Sequence, residues 1–456
     1  MTRRPSHLVP VRSVILGLSE AVVATFAFVA AMFAYLGPLN TKLAMDYQRA
    51  DARVAFVVGV FVLCMYYFDM YNLSVLRNSF GLAANITRCV GALFLILACT
   101  YAVVPSLRLQ DQILLTGTGA AAVAAVGWRH LFRYATHWPL LQERVLILGE
   151  GEIGDELAGI LTKRPELGYR VVQRFANESI STLDENGVDF ALQELVEARN
   201  IRRVIVTMGE RRGRLPVNTL LALKEQGILI QDGSEFYENI TGKVYLSSLR
   251  PSMLLFSPAF EISSLSLLLK RVFSIVFSIA ALIIMGPIML AVAIAIKLDS
   301  PGPIIFRQER VGYKGKRFTL YKFRSMRDGA DSVRPAEEND ERFTRVGLWL
   351  RAWRIDELPQ FWNILIGDMH LVGPRPFVPE QEDYLRERLP FYKLRWSIHP
   401  GATGWAQVSR GYCSTLEDNA DKLACDLFYL KHCSIGLDLL VVFKTLKILL
   451  LGRGAR

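Results

Sequence analysis

The stretch RIDELPQFWNILIGDMHLVGPRP, residues 354–376, sets two carboxylates side by side, Asp356 and Glu357, and a third, Asp368, after an apolar run. Pro359 suits the first turn of a helix, which predicts the adjacent pair at a helix N-terminus, where a carboxylate stays ionised and open to ligand. Arg375 stands between two prolines that fix its backbone. Ionised carboxylates beside fixed arginines are the parts that phosphoryl transfer needs. Carboxylates hold Mg2+, and arginines stabilise phosphoryl oxygens. Asp356, Glu357 and Asp368 are therefore the candidate metal ligands. A carboxylate can also attack as a nucleophile and form an acyl phosphate. The plainer alternative is a helix cap with surface salt bridges.

Upstream, DSPGPIIFRQERVGYKGKRFTLYKFRSM (299–326) carries Arg307, Arg310, Lys314, Lys316, Arg317, Lys322 and Arg324. Such a basic cluster beside an apolar helix serves anionic headgroups or a phosphorylated ligand. The carboxylates that follow favour the ligand, with Arg310, Lys322, Arg324, Arg354 and Arg375 as the phosphate-binding candidates. The other arginines of 338–354 read equally well as a solvated basic face. His399, before a proline and Gly401, is either a base or a loop histidine bonded to backbone.

These residues need elements to hold them, and most of the chain is membrane-like. Of 456 residues 52% are hydrophobic, and the formal net charge is +10. That composition excludes a disordered chain and a disulfide miniprotein. The basic balance suits anionic headgroups, and the apolar runs favour membrane over nucleic acid. Six cysteines show no CxxC spacing, and three lie in or beside apolar runs, which argues against a disulfide framework.

Four apolar segments, at roughly 14–37, 54–73, 89–107 and 113–132, approach the ~20 residues a spanning helix needs. The fourth is the weakest, being rich in Ala and Gly. The first is too long for a signal peptide and has no small-residue cleavage site before a soluble domain. Eight Lys and Arg flank the spans on one side and four on the other, which predicts both ends of the bundle in the cytoplasm. Glu20 inside the first span and Asp69 near the end of the second are either functional or, more simply, helix–helix or interfacial contacts.

From about 140 the chain turns soluble. RVLILGEGEIGDELAGIL (144–161) reads as strand, glycine turn and helix, with Gly149, Gly151 and Gly154 in GxGxxG spacing. YRVVQRF (169–175), 201–209 and 227–231 are further strand candidates, making a Rossmann-like α/β domain. A regulatory nucleotide is the sharper reading of the glycines. Against it, Glu150 and Glu152 would repel a pyrophosphate, and Arg174 and Phe175 end the second strand where a ribose-binding acid would stand.

Residues 266–298 form the longest apolar run, uncharged over 272–296, with Gly286–Pro287 inside. Proline kinks or breaks a helix. Lys270 and Arg271 before the run and Lys297 after it suit two ends at one leaflet. A re-entrant helix broken at Pro287 and a kinked spanning helix both satisfy the composition. The terminal segment 438–456, apolar with interspersed Lys and Arg, reads as an interfacial amphipathic helix or a packed terminal helix.

Three runs, 299–326, 354–376 and HPGATGWAQV (399–408), resemble the bacterial sugar transferase family, the monotopic phosphoglycosyl transferases or polyprenyl-phosphate hexose-1-phosphate transferases. The resemblance covers about residues 265–456. The N-terminal half looks like the large subtype, and the ending LKILLLGRGAR looks like a subgroup of exopolysaccharide biosynthesis. It implies a membrane protein of a four-helix transmembrane bundle (1–138), a Rossmann-like α/β domain (139–250), a linker (251–265), a re-entrant helix (266–298) and a mainly α catalytic domain (299–456). It implies Mg2+-dependent transfer of a sugar-1-phosphate from a UDP-sugar, glucose or galactose, to undecaprenyl phosphate. UMP is released, and a polysaccharide repeat unit begins.

The resemblance further implies Asp356 as nucleophile, Glu357 as the acid aiding metal or proton, and Arg375 as a phosphate contact. Gln407 and Arg410 become contacts of the active-site wall, with His399 beside them. Membrane lipids and a homodimeric partner are implied, with the catalytic side facing the cytoplasm of a bacterial inner membrane. Two other classes compete: a membrane-anchored nucleotide-sugar oxidoreductase or epimerase resting on the glycines, and a non-enzymatic nucleotide-sensing scaffold. The first lacks a downstream YxxxK pair and an acidic ribose partner.

Overall fold

The computed structural model describes residues 11–71, 79–136, 142–175, 185–208, 215–251, 260, 262–327, 329, 340–409 and 415–450. The chain divides into two compact units, Ser6–Ile240 and, for the rest, Thr241–Arg456.

The first unit begins with helices α1 (Val11–Gln48), α2 (Ala50–Tyr67), α3 (Ser79–Val103) and α4 (Asp111–Thr136). They run beyond the apolar segments because helix continues into the polar flanks. Gly37, at φ 74°, interrupts α1 just before Pro38, a pair suited to a kink. Helices α1, α2 and α3 are long and apolar enough to cross a membrane; α4 is not among them. Helix α4 packs along α1. Gly117 makes that contact close, since a Cβ there would lie 2.4 Å from the Phe28 ring.

The bundle core includes Phe28, Val57, Phe61, Met65 and Leu93. Glu20 is buried in it against α4, its two oxygens 2.7 and 2.8 Å from the Arg129 guanidinium. The intramembrane carboxylate is thus a helix–helix contact, the simpler of its two readings, and burial without a partner would be costly.

The unit continues with β1 (Glu143–Leu148), α5 (Glu152–Lys163), β2 (Tyr169–Phe175), α6 (Glu185–Arg199), β3 (Arg203–Val206), α7 (Val217–Glu225), β4 (Leu229–Asp232) and α8 (Gly233–Thr241). All strand pairs are parallel, in the order β2-β1-β3-β4. That order belongs to doubly wound sheets. The central strands are buried among Leu146, Leu148, Val204 and Val206.

The second unit opens with α9 (Ser264–Asp299), 36 residues long, or about 54 Å of helix. It too is apolar enough to cross a membrane. Pro287 lies inside it, and the helix runs on through the proline without interruption, so the expected break is not an interruption of helix. Neighbouring turns can absorb the lost donor. Lys270 is buried against Asp438 at 2.8 Å, and Arg271 donates to the carbonyls of Ile364 and Leu365. These two cations serve protein partners rather than headgroups.

An antiparallel hairpin follows, β5 (Ile305–Val311) and β6 (Arg317–Phe323). Then come α10 (Arg345–Ala352), α11 (Gln360–Ile366), β7 (His370–Val372), α12 (Pro379–Arg388), β8 (Gly401–Thr403), α13 (Trp405–Ser409), α14 (Leu416–Lys431) and α15 (Ile435–Leu450). Strands β7 and β8 pair in parallel. Val292 and Ile296 of α9 pack with Phe323 and Leu350, joining membrane helix, hairpin and α10 in one core.

Candidate active site

Asp356 and Glu357 occupy a 3-10 turn, Ile355–Glu357, ahead of α11. Arg354 enters that turn in the left-handed conformation, at φ 53°, an uncommon state for a residue with a side chain. Thr344 caps α10 with a bond from Gly347 N, and Gly347 is required there because a Cβ would lie 1.9 Å from Ser325 O. Asn363 docks α11 on the hairpin, accepting from Tyr321 N and donating to Thr319 O. The hairpin thereby brings Lys322 to the turn. Asn363 was missed in the sequence, although a polar side chain in the apolar run FWNILI is a usable signal.

Glu357 gathers the cations. Its Oε1 lies 3.3 Å from both Lys322 Nζ and Arg375 Nη2, and its Oε2 lies 3.7 Å from Arg354 Nη1. Burial opposes its ionisation, but Lys322, Arg375 and Arg354 outweigh burial and hold the carboxyl down to about 2. Burial pulls the Lys322 ammonium down, with Glu357 working against that pull.

Asp356 is different. Its side chain makes no hydrogen bond or ion pair with any described residue and is only 8% exposed. Burial raises its pKa, Lys322 counteracts, and the charge of Glu357 adds to the rise. A buried carboxylate without a hydrogen-bond partner, beside three cations held by its neighbour, suits attack on an anionic phosphorus centre.

Arg375 sits on the loop after β7. The loop is clasped to the HPGATG segment through glycines: a Cβ on Gly373 would meet His399 O at 2.4 Å, and one on Gly401 would meet Gly373 N at 2.0 Å. Backbone bonds close the clasp, from Gly373 N to Thr403 O and from Gly401 N to Pro374 O.

Other predicted residues have partners of their own, and Arg310 stays close enough to act on the Lys322 charge. Asp368 does not join Asp356 and Glu357, and among the described residues no group of three metal-binding side chains forms. The pair precedes α11 and Asp368 follows it, and seven helical residues separate them by about 10 Å. Asn363 Nδ2 donates to Asp368 instead. Arg324 is buried with its guanidinium on the carbonyls of Pro301 and Ser300, 2.6 and 2.7 Å away, so it pins the turn after α9. Arg310 donates to Pro376 O and to Gln308.

His399 stacks between Tyr313 and His370, with centroids 4.2 and 4.6 Å away. Burial and then Arg271 lower its pKa. Gln407 lies on α13 against the clasp, its Oε1 3.2 Å from where a Gly404 Cβ would stand. Arg410 falls outside the described residues.

In the α/β unit, Gly149 and Gly151 take positive φ. Gly154 passes close under Thr207, 3.1 Å from its Oγ1 to a would-be Cβ. A cleft of about 510 Å³ is lined by Gly149, Glu150, Asp155, Arg174 and Phe175. Arg174 pairs with Asp155 at 2.6 Å across it.

Residues 265–452 match the family model described as bacterial sugar transferase. The chain is 35% identical over 353 residues to the UDP-glucose:undecaprenyl-phosphate glucose-1-phosphate transferase of Escherichia coli K12, covering 74% of this chain and 75% of that one. It is 42% identical over 224 residues to the UDP-N-acetylgalactosamine-undecaprenyl-phosphate N-acetylgalactosaminephosphotransferase of Aeromonas hydrophila. There the match covers 48% of this chain and 52% of the relative, so the chain spans about half that relative's length. It is also 40% identical over 189 residues to the exopolysaccharide production protein PSS of Rhizobium leguminosarum, covering 40% of this chain and 94% of the relative.

Proposed function

The chain belongs to the bacterial sugar transferase family, the polyprenyl-phosphate hexose-1-phosphate transferases, and from that premise we propose that it transfers a hexose-1-phosphate from a UDP-sugar to undecaprenyl phosphate. The donor is UDP-glucose or UDP-galactose, and the product begins an exopolysaccharide or capsule repeat unit. The observation that carries the reading is Asp356, buried and without a hydrogen-bond partner among the described residues, next to a Glu357 surrounded by Lys322, Arg375 and Arg354.

An oxygen of Asp356 attacks the phosphorus bonded to the sugar. A P–O bond forms to the carboxylate, and the P–O bond to the uridylyl phosphate breaks. UMP leaves with that electron pair. An oxygen of undecaprenyl phosphate then attacks the same phosphorus and restores the carboxylate. One site thus serves a polar and a lipid substrate in turn. Lys322, Arg354 and Arg375 are placed to offset charge on the phosphoryl oxygens. Asp356 and Glu357 fit Mg2+, because it commonly uses one or two carboxylates together with substrate phosphates. Bound there it would neutralise charge on the leaving group. Asp368 lies outside that set.

The helix Ser264–Asp299 is read as re-entrant, bent at Pro287 with the helix unbroken, and with both ends at the cytoplasmic leaflet of the inner membrane. The catalytic unit faces the cytoplasm, and a homodimer is the working assembly. Labelling of single cysteines at positions 264 and 298 from one side of sealed vesicles tests the topology, since a spanning helix would leave one of them protected.

The test of function is UMP release by purified full-length protein with Mg2+, undecaprenyl phosphate and a panel of UDP-sugars. Release with one hexose, absent in Asp356→Asn, supports the reading. Silence across the panel from folded protein would sink it.

A further inference from the structure

Arg375 reaches Glu357 from a loop that cannot hold itself. Pro374 and Pro376 have no N–H, so the loop depends on outside donors. Four consecutive carbonyls are taken by four different donors: Pro374 O by Gly401 N, Arg375 O by Arg395 Nη2, Pro376 O by Arg310 Nη1, and Phe377 O by Val311 N. Of these, the bond from Arg395 falls on Arg375 itself, at 2.9 Å.

Arg395 ties that carbonyl to two helices of the unit. It is 4% exposed, on the 3-10 turn Tyr392–Ser397. The same Nη2 meets Asp426 of α14 at 3.0 Å. Nη1 meets Glu382 of α12 at 3.2 Å and the Tyr392 hydroxyl at 2.6 Å. The guanidinium lies 4.8 Å from the Phe377 ring centroid. Two buried carboxylates on two helices therefore fix one guanidinium in plane and in position. A planar fork can satisfy such a set, and an ammonium cannot. Burial works against the charge of Arg395, but Tyr392, Asp426 and Glu382 raise its pKa overall.

We propose that Arg395 is a positioning residue for the transfer: it sets Arg375 against the substrate phosphates by holding the Arg375 carbonyl. The inference rests on the reading of Arg375 as a phosphate contact. Positioning of this kind acts on the chemical step, because small misplacements of a charged group cost rate more than affinity. A residue that merely stabilises the fold has no reason to act through Arg375.

A double-mutant cycle on the full-length enzyme in nanodiscs separates these roles, read as kcat and KM for UDP-hexose. Arg395→Lys is expected to lower kcat by about tenfold, with KM changed by less than about threefold. Arg375→Ala is expected to lower kcat by about a hundredfold. Adding Arg395→Lys to Arg375→Ala should then cost less than about twofold more. A full multiplicative loss in the double variant would overturn the positioning role. An Arg375→Ala enzyme as active as the parent would instead sink the phosphate reading of Arg375, and the inference with it. If Arg395→Lys does not fold, Tyr392→Phe removes the 2.6 Å acceptor on Nη1, together with the hydroxyl's bond to Glu382, and leaves both carboxylates in place. Its smaller loss in kcat should likewise vanish in the Arg375→Ala background, and persistence there would count against the proposal.

Discussion

Asp356 and Glu357 are adjacent in one turn and titrate in opposite directions, Asp356 raised and Glu357 held down to about 2. The difference is one of partners. Glu357 takes the ion pairs with Lys322, Arg354 and Arg375, and Asp356 is left buried beside that charge. One carboxylate organises the cations while its neighbour keeps its oxygens for substrate.

Asp356→Asn should lower turnover by about 10⁴-fold or more, as loss of a nucleophile does. Intact-protein mass spectrometry of the parent, quenched with UDP-sugar alone, should show a phospho-hexose adduct that the variant lacks. An adduct retained in the variant would assign the nucleophile elsewhere.

The pH profile follows from the raised Asp356. Attack needs the ionised form, so activity is lost as pH falls through its folded pKa. That acid limb in kcat/KM should lie above the ordinary aspartate value of about 3.9. Glu357 stays ionised through the same range. Lys322→Met removes the cation that counteracts the rise, so its acid limb should move to higher pH. A limb that stays put would show that another group titrates.

His370 is buried, and burial followed by Lys270 lowers its pKa to about 3. An unfolded histidine near 6.5 binds a proton that the folded one refuses. Its contribution to stability is fully present above about 6.5 and fades as pH falls toward about 3. Replacement by Gln should flatten the fall in Tm over that window, and an unchanged slope would assign the fall to other groups.

Lys270 and Asp438 are each 1% exposed. Lys270→Met leaves the buried Asp438 carboxylate with the Tyr429 hydroxyl but no cation, which should cost about 3–5 kcal/mol. Adding Asp438→Leu should recover much of that loss in a denaturation assay in detergent. Failure to recover would mean that packing around Lys270, not charge, is what the variant disturbs.

Gly401→Ala places a Cβ 2.0 Å from Gly373 N, a backbone atom that cannot step aside. Turnover should fall because the loop bearing Arg375 is pushed away, even where the protein still inserts. Parent-like kcat in this variant would show that the clasp does not govern the loop.

The local chemistry was legible where it depended on neighbours in sequence. Asp356 beside Glu357 and Arg375 between prolines announce themselves by type and spacing, and the strands of the α/β unit follow from short apolar runs between turns. The network that holds Arg375 was not legible. Glu382, Arg395 and Asp426 lie on three segments, and nothing in their spacing says that they meet. The carbonyl partners of Arg324 and Arg310 were not legible for a related reason: composition counts a basic residue without saying what it already holds. Asp368 looked like a partner of the pair only along the chain, since the intervening helix carries it away.

The Glu20–Arg129 pair also has a consequence in time. The two residues are 109 positions apart, and a chain is made from its N-terminus. The first helix therefore emerges with a carboxylate whose partner has yet to be synthesised, at a cost of about 3 kcal/mol if it settles in the bilayer centre alone. The Tyr71 hydroxyl reaches Glu20 sooner, but the charge is answered only when the fourth helix brings Arg129. A chain halted before Arg129 would therefore leave the Glu20 carboxylate without its cation.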